Sequence, residues 1–262
     1  MKIEGAVALI TGGAMGIGRA MAETLLQNGA KFVSVLDLNE SAGSATEEDL
    51  NKSFGADKVK FFKCDVTSKD QLHDAFQKTL EVHNRLDIVC NNAGIEEQPD
   101  TEKIIRVNLL GTINGTNLAR DIMMKQTDPA GGLIINTASM GGLLPTFYAP
   151  SYSASKYGIV GYTRSLAAHP LIRKANIRLT LLCPSFVDTS MVTRAKDGDP
   201  ILQAVMMRAN VLPMSTVIEA FLKAVTDDSL NGAAIRVTPG RGVDLNTFES
   251  PEEVAELEIV KL

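Results

Sequence analysis

Residues Thr11-Gly12-Gly13-Ala14-Met15-Gly16-Ile17-Gly18-Arg19 separate an apolar, β-rich run from a segment of helical periodicity. Three of the glycines fall at G-x-x-x-G-x-G spacing, and the helix that follows is marked as amphipathic by Ala20, Met21, Leu25 and Leu26. Glycine lets a backbone approach a pyrophosphate closely, and the phosphate charge then rests on the N-terminus of the helix. Elsewhere such a turn is ordinary loop chemistry. At the first strand-to-helix junction it lies where a dinucleotide-binding βαβ unit needs it, so Gly12, Gly16 and Gly18 are candidate cofactor-binding residues.

The rest of the chain repeats this rhythm. Short apolar runs at 6–11, 31–37, 59–66, 86–91, 132–139, 177–184 and 233–238 alternate with helical segments. That alternation predicts an α/β fold, a Rossmann-like doubly wound parallel sheet of about seven strands with helices on both faces. A length of 262 residues fits a single domain over 1–262, with a cofactor-binding half at about 1–139 and a catalytic and substrate part at about 139–248. The stretch 185–213 lacks the rhythm. It contains Gly198, Pro200 and Pro213 with the apolar Met191, Met206 and Met207, and is expected to form a lid. Five glutamates between 249 and 258 predict a solvated terminus.

Composition narrows the function classes. The chain has 26 basic and 31 acidic residues, a net charge of −5 and no basic block, which argues against a nucleic-acid partner and for a small-molecule substrate. No apolar run is long enough to cross a bilayer, and Met1 leads straight into Ala6-Val7-Ala8-Leu9-Ile10, so neither a membrane span nor a signal peptide is expected. Cys64, Cys90 and Cys183 are far apart in apolar segments. They read as buried free thiols in a reducing, cytoplasmic compartment. His73, His83 and His169 have no partners at metal-ligand spacing, so no metal site is expected.

Chemistry concentrates in Tyr152-Ser153-Ala154-Ser155-Lys156. On a helix this spacing puts a phenol and an ammonium on one face, a turn apart. The positive charge is expected to lower the tyrosine pKa and make it a usable base near neutrality. Asp37 closes the second strand nineteen residues beyond Gly18, where such folds place the acid that binds the adenosine ribose hydroxyls. Its carboxylate would repel a 2′-phosphate and so favours NAD over NADP; capping of the following helix is the competing role. Asp65-Val66 and Asn91-Asn92-Ala93-Gly94 also fall at the carboxyl edge of the sheet, although turn chemistry alone would account for Asn-Ala-Gly.

Together the glycine motif, Asp65, Asn91-Asn92-Ala93-Gly94, Asn108, Ser139, Tyr152 and Lys156 resemble the short-chain dehydrogenase/reductase family over essentially the whole chain. Within it, Thr101-Glu102-Lys103, Gly158 to Ser165 and Asp227 to Ala233 are most similar to the NAD-dependent 15-hydroxyprostaglandin dehydrogenases. The resemblance implies an NAD-dependent enzyme interconverting a secondary alcohol and its ketone, assembled as a homodimer or homotetramer. It implies that Tyr152 is the acid/base and that Ser139 binds the reacting oxygen. Lys156 would tune Tyr152 and reach the nicotinamide ribose, and Asn108 would support a water-linked proton path. Ile17, Asn91 and Gly94 would border the cofactor, and Val187 with Thr189 would meet its carboxamide. Pro184-Ser185 departs from the family's usual Pro-Gly, and the serine Cβ stiffens the entry to the lid.

Phe147, Tyr148 and Phe186 flank the catalytic positions and suit an apolar pocket for a hydrophobic alcohol, although core packing explains any one of them equally well. The prostaglandin resemblance weakens here, because those dehydrogenases carry a glutamine where this chain has Ala149. Dehydrogenation of another lipophilic alcohol, such as a terpenoid, steroid or fatty alcohol, is the alternative reading. A non-catalytic NAD-binding protein is a further one, disfavoured by the intact Ser139, Tyr152 and Lys156.

Overall fold

Side chains alternate across the first strand and so define two cores. In a computed structural model, which describes residues 1–127, 130–189, 201, 204–205, 208 and 210–248, every residue of β1 (Val7–Thr11) is buried. Ala8 and Ile10 face one apolar cluster and Leu9 faces the other. Burial on both faces is what makes parallel strands continuously hydrophobic. The same holds for β4 (Ile88–Asn91), β5 (Gly132–Thr137) and β6 (Ile177–Pro184) and for all of β2 (Phe32–Asp37) but its last residue, whereas β3 (Val59–Lys63) at the sheet edge is only partly covered.

Two helical layers cover the sheet. On one face α1 (Gly16–Gln27), α2 (Glu40–Phe54) and α8 (Met214–Thr226) contribute Met21, Leu25, Leu50 and Phe221 to the core. On the other, α3 (Lys69–His83) and α5 (Gly111–Met123) contribute Leu72, Phe76 and Met123, and the short α7 (Pro170–Lys174) adds Ile172. The long α6 (Pro150–Ala168) packs Ile159 and Val160 against Leu181 and Cys183 of β6. Local signals start several helices. Asn39 accepts from the Ala42 N–H at 3.1 Å to cap α2, and Asp100 accepts from the Lys103 N–H at 2.9 Å to cap the single turn α4 (Thr101–Ile104). A π-helical turn, Ile105–Leu110, joins α4 to α5.

Among the described residues the sheet has eight strands in the order β3-β2-β1-β4-β5-β6-β7-β8. The first seven pair in parallel, including β7 (Ala234–Thr238). The eighth, β8 (Gly242–Asn246), adds an antiparallel edge through a tight hairpin. None of its residues is fully buried, so it lacks the apolar run that marks the other strands. The order reverses between β1 and β4, and ligand crevices form at the carboxyl ends of strands at such a switch point.

Two expected strands end before their apolar runs do. β3 stops at Lys63, leaving Asp65 and Val66 in a loop, and β5 stops at Thr137, leaving Ser139 at the start of a 3-10 turn, Met140–Gly142. The two ends of the 185–213 segment pair with each other through Val187 and Leu212. Met191, Gly198, Pro200, Met206, Met207 and the glutamates of 249–258 lie outside the described residues. No helix among the described residues is long and apolar enough to cross a membrane.

Candidate active site

The cleft opens where β1 and β4 diverge. Gly12 takes a left-handed φ of 62°, and a Cβ there would come within 2.8 Å of the Ala93 Cα. At Gly18 a Cβ would lie 2.1 Å from the Gly12 carbonyl oxygen. Only glycine therefore lets the turn fold this tightly against the strand opposite. The Thr11 hydroxyl accepts from the Asn92 and Ala93 N–H groups at 3.0 and 3.1 Å, and the Asn92 amide donates to the Gly12 carbonyl at 3.1 Å. α1 begins at Gly16 without a side-chain cap, so its first N–H groups remain available to an anion. A pyrophosphate fits this loop.

The cleft extends from that turn as a cavity of about 1210 Å³. Gly12, Gly16, Ile17, Asp37, Asp65, Val66 and Gly94 line it, as do Val187 and Thr189 beyond β6. Asp37 accepts from the Ala14 N–H at 3.1 Å and the Asn39 N–H at 3.0 Å, so it braces the glycine turn, while the capping of α2 falls to Asn39. Asp65 accepts from both the N–H and the hydroxyl of Thr67 at 2.8 Å. Three expected site residues do not reach the cavity surface. Gly18 is packed under the turn. Asn91, only 2% exposed, points toward α5, where its amide donates to Thr116 of that helix and to Asn136 of β5 at 3.1 and 2.9 Å. Asn92 takes its place at the cleft.

Asn108 is the third, and it is fully buried within the π turn. Its Oδ1 accepts from the Ile95 N–H at 2.8 Å, and its Nδ2 donates to the Ile95 carbonyl at 3.0 Å and the Ser155 hydroxyl at 3.1 Å. It thus clamps the loop after β4 to α6. Gly94 sits between the two, since a Cβ there would lie 3.3 Å from Asn108 Oδ1 and 3.5 Å from Lys156 Nζ.

Tyr152 occupies the first turn of α6 and Lys156 the second. The 3-10 turn after β5 packs on this helix: Ser153 donates to the Gly141 carbonyl at 2.6 Å, and a Cβ on Gly142 would come within 2.7 Å of the Lys156 carbonyl. That docking brings Ser139 beside Tyr152, on either side of Gly141. The Ser139 hydroxyl accepts from the Gly141 N–H at 3.1 Å and hydrogen-bonds the phenol. Lys156 is 3% exposed, donates to the Thr137 carbonyl at 2.9 Å and lies 5.5 Å from the Tyr152 ring centre.

The electrostatics correct one expectation. Burial pushes the Tyr152 pKa above its ordinary value, and Lys156, turned toward Thr137, is not among the groups that lower it. Burial also brings Lys156 itself down, to about 8. The site therefore holds a neutral phenol beside a buried lysine whose pKa is lowered.

Toward the substrate side, Tyr148 meets Phe147 edge-on at 5.3 Å and stacks on Phe186 at 6.3 Å. All three line the cleft with Ala149, which is buried, whereas Phe147 is 80% exposed at the rim. Glu96, Glu97 and Leu144 line it too and were not legible in the sequence, because they lie on loops without periodicity. For Asn92, the doubled asparagine was the available signal. The histidines are scattered: His83 packs on the Phe32 ring at 4.2 Å and His169 accepts from the Leu171 N–H at 3.2 Å. Among the described residues no group of three or more His, Cys, Asp or Glu side chains is placed to hold a metal.

Comparison with known proteins agrees with this geometry. A family model described as short chain dehydrogenase matches residues 6–200. The 15-hydroxyprostaglandin dehydrogenase [NAD(+)] of Mus musculus is 38% identical over 258 residues, covering 95% of this chain and 96% of that one. Its counterpart of the same name in Homo sapiens is 37% identical over 259 residues, covering 95% and 97%. A crystal structure of a short chain dehydrogenase/reductase from Burkholderia phymatum in complex with NAD superposes with a TM-score of 0.78 at 25% identity, covering 90% of each chain. With the glycine turn, the switch-point cleft and the Ser139, Tyr152 and Lys156 cluster already in place, the chain belongs to the short-chain dehydrogenase/reductase family and is an NAD-dependent oxidoreductase.

Proposed function

We propose that the chain oxidises a hydrophobic secondary alcohol to its ketone, with 15-hydroxyprostaglandins as the leading substrate class. The observation that carries this reading is the opening of Ser139, Tyr152 and Lys156 onto the same cleft as the glycine turn, with Phe147, Tyr148 and Phe186 beside them. NAD, held by the glycine turn and the cleft beyond it, would supply the hydride acceptor. Ser139 orients the substrate hydroxyl toward Tyr152, which removes its proton as the carbinol hydrogen leaves as hydride. The Ser139 hydrogen bond stabilises the resulting phenolate, Lys156 faces the cleft from the next turn of α6, and Asn108 holds the loop that carries Gly94 against this group. Asp37 favours NAD by its charge. The three buried free thiols fit a reducing, cytoplasmic compartment, and the family resemblance fits a homodimer or homotetramer.

Ala149 favours a second reading, a different lipophilic alcohol such as a terpenoid, steroid or fatty alcohol. A panel of 15-hydroxyprostaglandins, hydroxysteroids and long-chain secondary alcohols, assayed by NADH formation, tests the class. Turnover only on small polar alcohols would refute the apolar pocket. Within the panel, Ala149→Gln separates the readings: it should sustain or raise kcat/KM on prostaglandins, where the amide gains a partner. It should lower kcat/KM on an alcohol that needs the space above Ala149.

A further inference from the structure

The first turn of α6 lacks a cap of its own. Ala149 at the N-cap offers no side-chain acceptor, and Pro150 follows it. The N–H of Tyr152 instead donates to Glu97 Oε2 at 2.6 Å, a carboxylate 55 residues earlier in the chain. Glu97 is half-buried and lines the cleft. Its loop is tied down upstream by the Asn92 bond to Gly12 and by the paired bonds between Asn108 and Ile95. Downstream, the Thr101 and Ser151 hydroxyls meet at 3.0 Å. A carboxylate on an N–H at the positive end of a helix makes a charge-assisted bond favoured by the helix dipole.

We propose that Glu97 is the positioning residue for Tyr152, holding the first turn of α6 in register with the loop that carries Gly94. The cofactor-facing loop and the base then sit at a fixed separation. The hydroxyl proton and the leaving hydride must be taken from one carbinol in the same step, so error in that separation falls on the chemical step rather than on cofactor binding. This inference rests on Tyr152 being the base, as proposed above.

The test compares Glu97→Ala, Glu97→Asp and Glu97→Gln on the best alcohol of the panel, with NADH binding followed by fluorescence. Alanine removes the acceptor and aspartate keeps the charge while falling short of the N–H. Both should lower kcat by about tenfold or more, in keeping with the sensitivity of such steps to misplacement. NADH affinity should stay within about twofold in every variant, because Glu97 lies outside the glycine turn. Glutamine keeps an oxygen at the same reach and should recover most of kcat. Unchanged kcat in the alanine and aspartate variants would overturn the proposal. So would glutamine as slow as alanine, or a loss of NADH affinity in step with kcat. Tyr152→Phe runs alongside. If it still turns over, the base assignment fails and Glu97 falls with it; if it is dead while the Glu97 variants are unimpaired, only the positioning role fails.

Discussion

Lys156 keeps an ammonium where solvent scarcely reaches it, and the cost shows in its pKa of about 8. The unfolded chain holds that proton up to an ordinary lysine pKa, so in the window from about 8 to the ordinary value stability gained through this group rises with pH. Below about 8 the full penalty stands, on the order of 3 kcal/mol. Lys156→Met should therefore stabilise the protein at pH 7 by up to that amount while abolishing turnover, and the gain should shrink as pH rises toward 10. Urea unfolding of both proteins at several pH values checks the sign; a gain that grows with pH would show that burial does not set this pKa. The Tyr-x-x-x-Lys spacing was legible in the sequence, as were Ser139 and Asp37. The direction of the Tyr152 shift was not, because desolvation belongs to the packed site rather than to the motif. Asn91 was misplaced for a related reason: of two adjacent asparagines, only the pleat decides which one faces the cleft.

At the level of elements, catalysis depends on how the 3-10 turn 140–142 seats against α6. Gly142 has no space for a side chain, since the atom its Cβ would meet at 2.7 Å is the backbone oxygen of Lys156. Gly142→Val should push the turn off the helix, carrying Ser139 away from Tyr152. We expect a loss of about 1–3 kcal/mol in stability. The fall in kcat should exceed any change in NADH affinity; if the two move together, the turn does not set the Ser139 position. The parallel strands were legible because burial on both faces makes each an unbroken apolar run. β8 escaped, being pinned by polar chemistry such as the partly buried Arg236 to Asp244 bond at 2.9 Å across its hairpin. The π turn around Asn108 escaped as well, because no residue type marks the widening of a helical turn by one residue. Ser139 lies past the end of β5 because Thr137 makes the last ladder pairing with β6.

For the whole molecule, the cleft couples cofactor to folding. At a hundredfold excess over its dissociation constant, a ligand that binds only the folded state adds ~2.7 kcal/mol, a rise of roughly 5 to 10 °C in Tm. NAD should produce this shift and NADP much less at equal concentration, with Asp37→Ser narrowing the difference. Equal shifts from both cofactors in the unmodified protein would remove Asp37 from the ribose site. The two walls that make the shift possible come from distant parts of the chain: Thr11 and Gly12 on one side, and Asn92 and Ala93, about eighty residues later, on the other. During synthesis β1 can pair with β2 early, yet its second edge waits for β4. A nascent chain that ends short of residue 93 has the glycine turn without the wall it packs against, so no dinucleotide pocket can form before the fourth strand arrives.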